Sequence, residues 1–365
     1  MKLEKWITVT VFVLMATLLV ACGDSGSNAT NNESEVAKSE SANKATELEQ
    51  DLPEEVNIGY FEYIDDSLIV KQQGWLEEEL NKLGVKLNWV SFQAGRDANN
   101  ALLSKSIDIQ ISIGDPPVSI AVSSGIPYEI FWTGQTVGEA EALVVKNDTG
   151  ISTISDLKGK RIATTSASTS HYSLLSALQL NGLTAADVQI VDLTPPDILS
   201  AWHRGDIDAA YTWDPGLTEL LKDGTKVISS AELATKGHPT GTYGVVHKEF
   251  GEKYPQIVEL YIEQLIRAQD LYAENPDEAA KIWAEALQIT EEDAAKQAKG
   301  SNWITPDQQL SNTFLGTSGD IGDTAQSLKK IGDFLVEQQS IPTESEVSKY
   351  EAIINPSYLE TVVNK

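Results

Sequence analysis

An α/β fold built on mostly parallel sheets is what this 365-residue chain predicts, and two observations predict it. β-Prone runs alternate with helical stretches through short connections from Glu55 onward, the pattern of strands joined by crossover helices. One phrase also occurs twice. Ile107-Asp108, a short strand and Asp115-Pro116 in the first half are matched by Ile207-Asp208, a short strand and Asp214-Pro215 in the second. Two related α/β lobes would produce that repetition.

Taken in order, Glu55-Val-Asn-Ile-Gly-Tyr-Phe reads as the first strand, Ser67 to Leu83 as a helix closed by Gly84, and Val85 to Phe92 as an alternating strand. Asn99 to Ser106 predicts a short helix, and Ile107 to Ile113 a third strand. Asp115-Pro116 reads as an N-cap followed by proline at the first helical position. Tyr128 to Thr133 and Ala142 to Lys146 are further strands. Ile154 to Thr165 reads as helix, turn and strand, Val188 to Leu193 as a strand, and Ile198 to Arg204 as a helix. Gly241-Thr-Tyr-Gly-Val-Val-His predicts a strand able to return from one lobe to the other. From Tyr254 the chain is mainly helical: Ile257, Leu260, Tyr261, Leu265 and Ala268 recur at helical spacing, and Asp323 to Gln339 and Tyr350 to Ile354 continue in that style. Such helices would cover the outside of a lobe.

Before the folded body, Lys2 and Lys5 precede an apolar run from Trp6 to Val20 and then Leu19-Val-Ala-Cys22. Residues 1–21 therefore predict an export signal, too short to span a membrane well. Cys22 is the only cysteine, which excludes a disulfide within the chain. Its setting resembles the lipobox of bacterial lipoproteins, a resemblance that implies diacylglycerol on this thiol. Residues 22–52 are Ser, Asn, Ala, Glu and Lys with almost no large apolar side chain, and predict a flexible tether. The remaining body of about 310 residues suggests two domains. Fifty-four acidic residues against 27 basic ones give a net charge of −27, which excludes nucleic acid and anionic lipid surfaces as partners. A small anion is still admissible, because that field is screened beyond about 10 Å at moderate salt.

Catalytic motifs are scarce. Ser155-Asp-Leu-Lys158 fits S-x-x-K without its companion motifs and reads as a helix cap; a nucleophile elbow, a Walker loop and a dinucleotide fingerprint are all missing. The four histidines, at 171, 203, 238 and 247, have no metal-ligand spacing, so neither a metal nor a cofactor is expected. The densest chemistry lies between Thr164 and Ser170, where six of seven residues carry a hydroxyl directly before a helix. Free N–H groups and the positive end of the helix dipole gather there and can hold an anion without a full charge; a plain N-cap is the simpler alternative. In an open α/β sheet, ligands sit at the carboxyl ends of the strands. Here those ends carry Tyr63-Ile-Asp-Asp, Gly114-Asp-Pro, Ser166 to His171, and Trp213-Asp-Pro. Hydroxyls and helix starts suit an anion, while Asp and Trp suit a cation and an apolar stem. The ligand implied is small and anionic at one end, with a cationic group as an option at the other. Asp115 and Asp214 could equally be helix caps, and Trp213 a core aromatic.

Several phrases carry a resemblance: Glu141-Ala-Leu-Val-Val-Lys, Gly159-Lys-Arg-Ile-Ala, Ser168-Thr-Ser-His-Tyr-Ser-Leu-Leu, Pro195-Pro, Ala201-Trp-His-Arg-Gly-Asp-Ile-Asp-Ala-Ala-Tyr-Thr-Trp-Asp-Pro and Asn302-Trp-Ile-Thr-Pro-Asp-Gln-Gln. From about Val56 to the C-terminal region the chain resembles the taurine and aliphatic-sulfonate binding proteins of bacterial ABC importers. The resemblance implies a periplasmic-binding-protein fold, with two α/β lobes, two crossover strands and a ligand cleft between them. Lobe I would be 53–145 plus 245–365, and lobe II 146–244. It further implies a protein that closes on its ligand and delivers it to a permease and its ATPase; with the lipobox at Cys22, a lipid-anchored monomer on the outer face of the cytoplasmic membrane is expected. Ser168, Thr169, Ser170 and His171 would face the sulfonate, with Asp115 opposite and Tyr63 and Trp213 at neighbouring strand ends. The pattern departs at Thr242, where the family carries an aspartate for the ligand's ammonium. Taurine then needs another acid, from Asp214, Asp115 or Glu141, since a buried ammonium without one is costly. A non-amino alkanesulfonate or another small anion such as nitrate is the alternative ligand. A same-fold enzyme acting on a small metabolite is the alternative class; it would need a nucleophile or metal ligands that the chain lacks.

Overall fold

Two open sheets organise residues 51–365, the part of the chain that this computed structural model describes. The signal segment 1–21, Cys22 and all of the tether except Asp51 and Leu52 lie outside the described residues. The first sheet contains β1 (Glu55–Phe61), β2 (Lys86–Phe92), β3 (Ile109–Gly114), β4 (Tyr128–Thr136), β10 (Gly241–His247) and β11 (Asn302–Trp303), in the order β11-β4-β10-β3-β1-β2. The second contains β5 (Glu141–Lys146), β6 (Arg161–Thr164), β7 (Gln189–Asp192), β8 (Ala209–Trp213) and β9 (Gly224–Ser229), in the order β7-β6-β8-β5-β9.

The parallel neighbours, β2-β1-β3 and β7-β6-β8, are joined through helices, as parallel pairing requires. In each sheet one central strand runs against its neighbours. β5, the first strand after the chain enters the second sheet, is antiparallel to β8 and β9. β10, the first after its return, is antiparallel to β3 and β4. Sheet membership therefore changes just before Glu141 and just before Gly241, a few residues earlier in each case than the divisions at 145/146 and 244/245. Backbone pairing decides this, because both crossing strands bond along their whole length into the sheet they enter.

The repeated phrase has a structural counterpart. Asp108 Oδ2 accepts from the backbone N–H of Asn57 at 2.8 Å, and Asp208 Oδ2 accepts from that of Arg161 at 2.8 Å. In both halves the Asp before the strand thus pins the start of the adjacent parallel strand. The two Asp-Pro phrases diverge, as the site below makes clear.

Two local expectations change. The helix from Ser67 to Leu83 is two helices, Asp66–Gln73 and Trp75–Lys82, because Gly74 takes a left-handed conformation (φ 65°) that closes the first. Gly114, not Asp115, caps helix Asp115–Ser124, which puts proline at the second helical position. β3 also carries a bulge. Ser112 has φ 57° and the pairing with β10 shifts register between Tyr243 and Val245. Accordingly Ile109 and Ile111 feed the apolar core on one side of the sheet, while Ile113 feeds the core on the other.

The second sheet is likewise buried on both faces, by a cluster around Leu174, Leu178 and Tyr211 and another around Trp202, Ile198 and Leu220. The C-terminal helices do not only cover one lobe. Helix Thr324–Glu337 accepts from Ser119 Oγ at Leu328 O (3.0 Å) on one flank and sends Ile331, Phe334 and Leu335 into the second sheet's core, where Phe334 meets Tyr172 edge-on at 4.9 Å. Among the described residues no helix is long and apolar enough to cross a membrane.

Candidate ligand-binding cleft

A cleft with about 560 Å³ of empty space, its open mouth included, lies between the two sheets. The first sheet and its loops contribute Phe61, Tyr63, Gly95, Ser112, Gly114, Pro117 and Thr242; the second contributes Glu141, Ser168, Thr169 and Trp213. Strand ends supply most of these residues, as expected of open α/β sheets. Among the described residues, none that lines the cleft is a lysine, arginine or histidine.

Two helices begin at this cleft, and they differ in what they offer. Helix Asp115–Ser124 starts Asp-Pro-Pro, and neither Pro116 nor Pro117 has a backbone N–H to give. Helix Thr169–Leu180 has no proline, and its first turn keeps its donors. Around it the neighbouring amides are committed. Ser166 N–H donates to Asp192 Oδ1 (2.9 Å), Ala167 N–H to His171 Nδ1 (3.3 Å) and His171 N–H to the capping Ser168 Oγ (3.2 Å). Ala167 turns the loop with φ 60°. The amides of Thr169 and Ser170 remain as first-turn donors, so of the two helices this one has N–H groups to offer at the cleft.

Glu141, the first residue of β5, is 1 % exposed and sits at the same helix start. Four hydroxyls donate to it: Thr169 Oγ1 (2.5 Å) and Ser170 Oγ (2.8 Å) to Oε2, Ser230 Oγ (2.7 Å) and Ser173 Oγ (3.3 Å) to Oε1. No lysine, arginine or histidine among the described residues pairs with it. Burial pushes its carboxyl above the usual range, and the four hydroxyls work against that rise. The result is a buried carboxyl group, oriented by hydroxyls and without a protein cation, at the cleft.

The other acids have different occupations. Asp115 is buried with Oδ1 accepting from Tyr243 Oη (2.7 Å) and Oδ2 from Gly241 N–H, so it fastens the start of β10 to the helix; burial raises it to about 6. Asp214 accepts from Thr218 N–H (2.9 Å) and Thr218 Oγ1 (2.7 Å), holding helix Gly216–Leu220, and burial raises it to about 6. Neither lines the cleft. Asp65 and Asp66 lie beneath its floor. Asp65 accepts from Leu68 N–H (2.8 Å), Ser67 Oγ (2.8 Å) and Ser112 Oγ, and Asp66 from Trp132 Nε1 (3.0 Å) and Gln269 Nε2 (3.1 Å). Burial raises both carboxyls, and Asp65 beside it raises Asp66 further. Among the described residues no cluster of three or more His, Cys, Asp or Glu could hold a metal ion.

Of the sequence-predicted residues, Ser168, Thr169, Glu141, Trp213, Tyr63 and Thr242 meet at the cleft. Ser170 stands behind Glu141. His171 does not line the cleft: its ring nitrogen is turned back onto Ala167 N–H, and burial lowers its pKa. Sequence reasoning missed Ser112, Ser173 and Ser230. Ser173 was within reach, because it follows Thr169 and Ser170 by one helical turn and so shares their face. Phe61, Gly95 and Pro117 gave no local signal.

Two α/β sheets, one reversed central strand in each and a cleft at the strand ends define a periplasmic-binding-protein fold. Solved structures share it. The alkanesulfonate-binding protein SsuA from Xanthomonas axonopodis pv. citri bound to MOPS superposes with TM-score 0.70 at 23 % identity, over 82 % of this chain and 98 % of that one. The desulfurization enzyme DSZB superposes with TM-score 0.59 at 14 % identity, over 86 % and 99 %. The chain belongs to the NMT1/THI5-like family, whose profile matches residues 67–279. The taurine-binding periplasmic protein of Escherichia coli (strain K12) is 39 % identical over 255 residues, 68 % of this chain and 79 % of that protein.

Proposed function

We propose that this chain is the extracytoplasmic solute-binding protein of an ABC importer, a binding protein and not an enzyme, and that its ligand is taurine or a closely related aminosulfonate. The observation that carries this reading is Glu141: a carboxylate buried in a hydroxyl cage, with no protein cation, beside the free amides of helix Thr169–Leu180. The sulfonate takes the helix amides, whose dipole favours an anion. The ammonium takes Glu141, which fills the role left open by Thr242. Ser112 adds to the same polarity: its proton is committed to Asp65, so its oxygen presents lone pairs to the cleft. Phe61, Trp213 and Pro117 enclose the ethylene stem. An alkanesulfonate without an amine would bring a second negative charge beside Glu141 with nothing to offset either.

The similarity to the taurine-binding protein of Escherichia coli supports the ligand class. Cys22, after Leu-Val-Ala, would carry the lipid that holds the protein at the outer face of the cytoplasmic membrane, with residues 22–52 as the tether and a permease with its ATPase as partners. The folded body is proposed to act as a monomer. Calorimetry with taurine, hypotaurine, ethanesulfonate, sulfate and nitrate tests the ligand. Heat from taurine and hypotaurine above ethanesulfonate is expected; ethanesulfonate binding at least as tightly as taurine would replace the aminosulfonate reading with a plain sulfonate, and no heat from any sulfonate would end it.

A further inference from the structure

At the cleft mouth one ion pair joins the two sides. Arg96, the second residue of helix Gly95–Leu103, donates from Nη1 to Asp192 Oδ2 at 2.8 Å. Arg96 follows Gly95, which lines the cleft from the first sheet's side, and Asp192 ends β7 in the second sheet. The other oxygen of Asp192 accepts the N–H of Ser166, in the loop that delivers Ser168 and Thr169 to the cleft. One carboxylate is therefore shared between a contact across the mouth and the placement of the ligand-facing loop.

We propose that Arg96 is a positioning residue for ligand retention, acting through Asp192 as a charged latch between the two sides of the cleft. The inference rests on the sulfonate-binding reading for its kinetic consequence. A ligand enters while the mouth is open and the latch unmade, so the pair cannot speed association and slows it only by the fraction of ligand-free protein already latched. Departure requires the pair to break, so dissociation is not. Both side chains are about two-fifths exposed, which makes the latch weak and sensitive to salt. An exposed pair of this kind corresponds to a roughly two- to fivefold change in a rate.

Stopped-flow tryptophan fluorescence with taurine, using Trp213 at the cleft as reporter, gives the two rates separately. Arg96→Gln should release taurine about two- to fivefold faster, with an association rate that is not lowered. Salt should speed release from the native protein and leave the variant unaffected. Arg96→Lys should restore much of the native rate. Asp192→Asn keeps an oxygen for Ser166 N–H but loses the charge, and should reproduce Arg96→Gln; Asp192→Ala also frees the loop and should weaken binding further. Equal release rates and equal salt responses in native protein and Arg96→Gln would overturn the latch. Small-angle scattering without added ligand gives a second readout: Arg96→Gln, or high salt on native protein, should enlarge the radius of gyration, and an unchanged radius in both would overturn it. If taurine and ethanesulfonate bind neither protein, the ligand reading fails and scattering alone decides the latch.

Discussion

Glu141→Gln separates the two ends of the ligand. Glutamine keeps the length of the side chain and one acceptor oxygen for Thr169 and Ser170, while Ser173 and Ser230 can turn their hydroxyls to accept from the new amide. The cage survives and only the charge is lost. Removing one partner of a buried, hydrogen-bonded charge pair costs about 2–5 kcal/mol, which is roughly 30- to 5,000-fold in Kd for an aminosulfonate. Ethanesulfonate has no ammonium to lose, and its affinity should hold or improve as the neighbouring negative charge disappears. Folding should not suffer, because an unpaired buried carboxylate is itself costly. Calorimetry with both ligands and a melting curve of the variant make the measurement. Equal losses for taurine and ethanesulfonate, with the melting temperature unchanged, would refute the assignment of the amine to Glu141. The pH dependence has a definite sign. An ammonium favours the ionised form of a carboxyl whose pKa burial has raised, so taurine affinity should climb with pH above the ordinary carboxylate range, while ethanesulfonate should show no such gain.

Three further outcomes follow from the same geometry. A Cβ on Gly114 would lie 2.8 Å from Thr169 Cγ2 across the cleft; Gly114→Ala should weaken every ligand alike, and adding Thr169→Ser, which removes that methyl, should recover much of the loss in calorimetry. Asp214 holds helix Gly216–Leu220 and does not line the cleft, so Asp214→Ala should cost about 1 kcal/mol of stability, the worth of a hydrogen bond, without altering the ratio of taurine to ethanesulfonate affinity. Asp115 and Asp214 are raised from 3.8 to about 6. A carboxyl raised in the folded state contributes stability that is complete below its unfolded pKa and lost as pH rises through the folded one. These groups should therefore lower the melting temperature of the protein alone between about pH 4 and about pH 7, and Asp115→Asn should flatten that part of the profile.

How much of the site was legible depended on how far each residue's partners lie along the chain. The helix start at Ser168 was readable because an N-cap and its first turn are local: Ser168 Oγ and His171 N–H are three residues apart. The twin roles of Asp108 and Asp208 were signalled by repetition, although the strands they pin are 51 and 47 residues away. Gly74 ended a helix that the apolar spacing had carried through, since nothing in that spacing records a left-handed φ. His171 belonged to the hydroxyl-rich phrase yet turned back on its own loop, because at a helix start a ring nitrogen competes for the nearest free amide.

The amino-acid sequence by itself determined the alternating elements, the doubled lobe and the hydroxyl-rich helix start, all of which arise from propensity, periodicity and capping within a few turns of chain. Only the tertiary structure decided among the acids. Asp115, Asp214 and Glu141 are alike as residues near strand ends; what differs is the set of donors folding brings to each. Asp115 meets Tyr243 from 128 residues away and becomes a fastener, Asp214 meets Thr218 and becomes a brace for the helix that follows, and Glu141 gathers hydroxyls from as far as Ser230, 89 residues on. Desolvation depends on what packs around a charge, and that packing is assembled from distant parts of the chain.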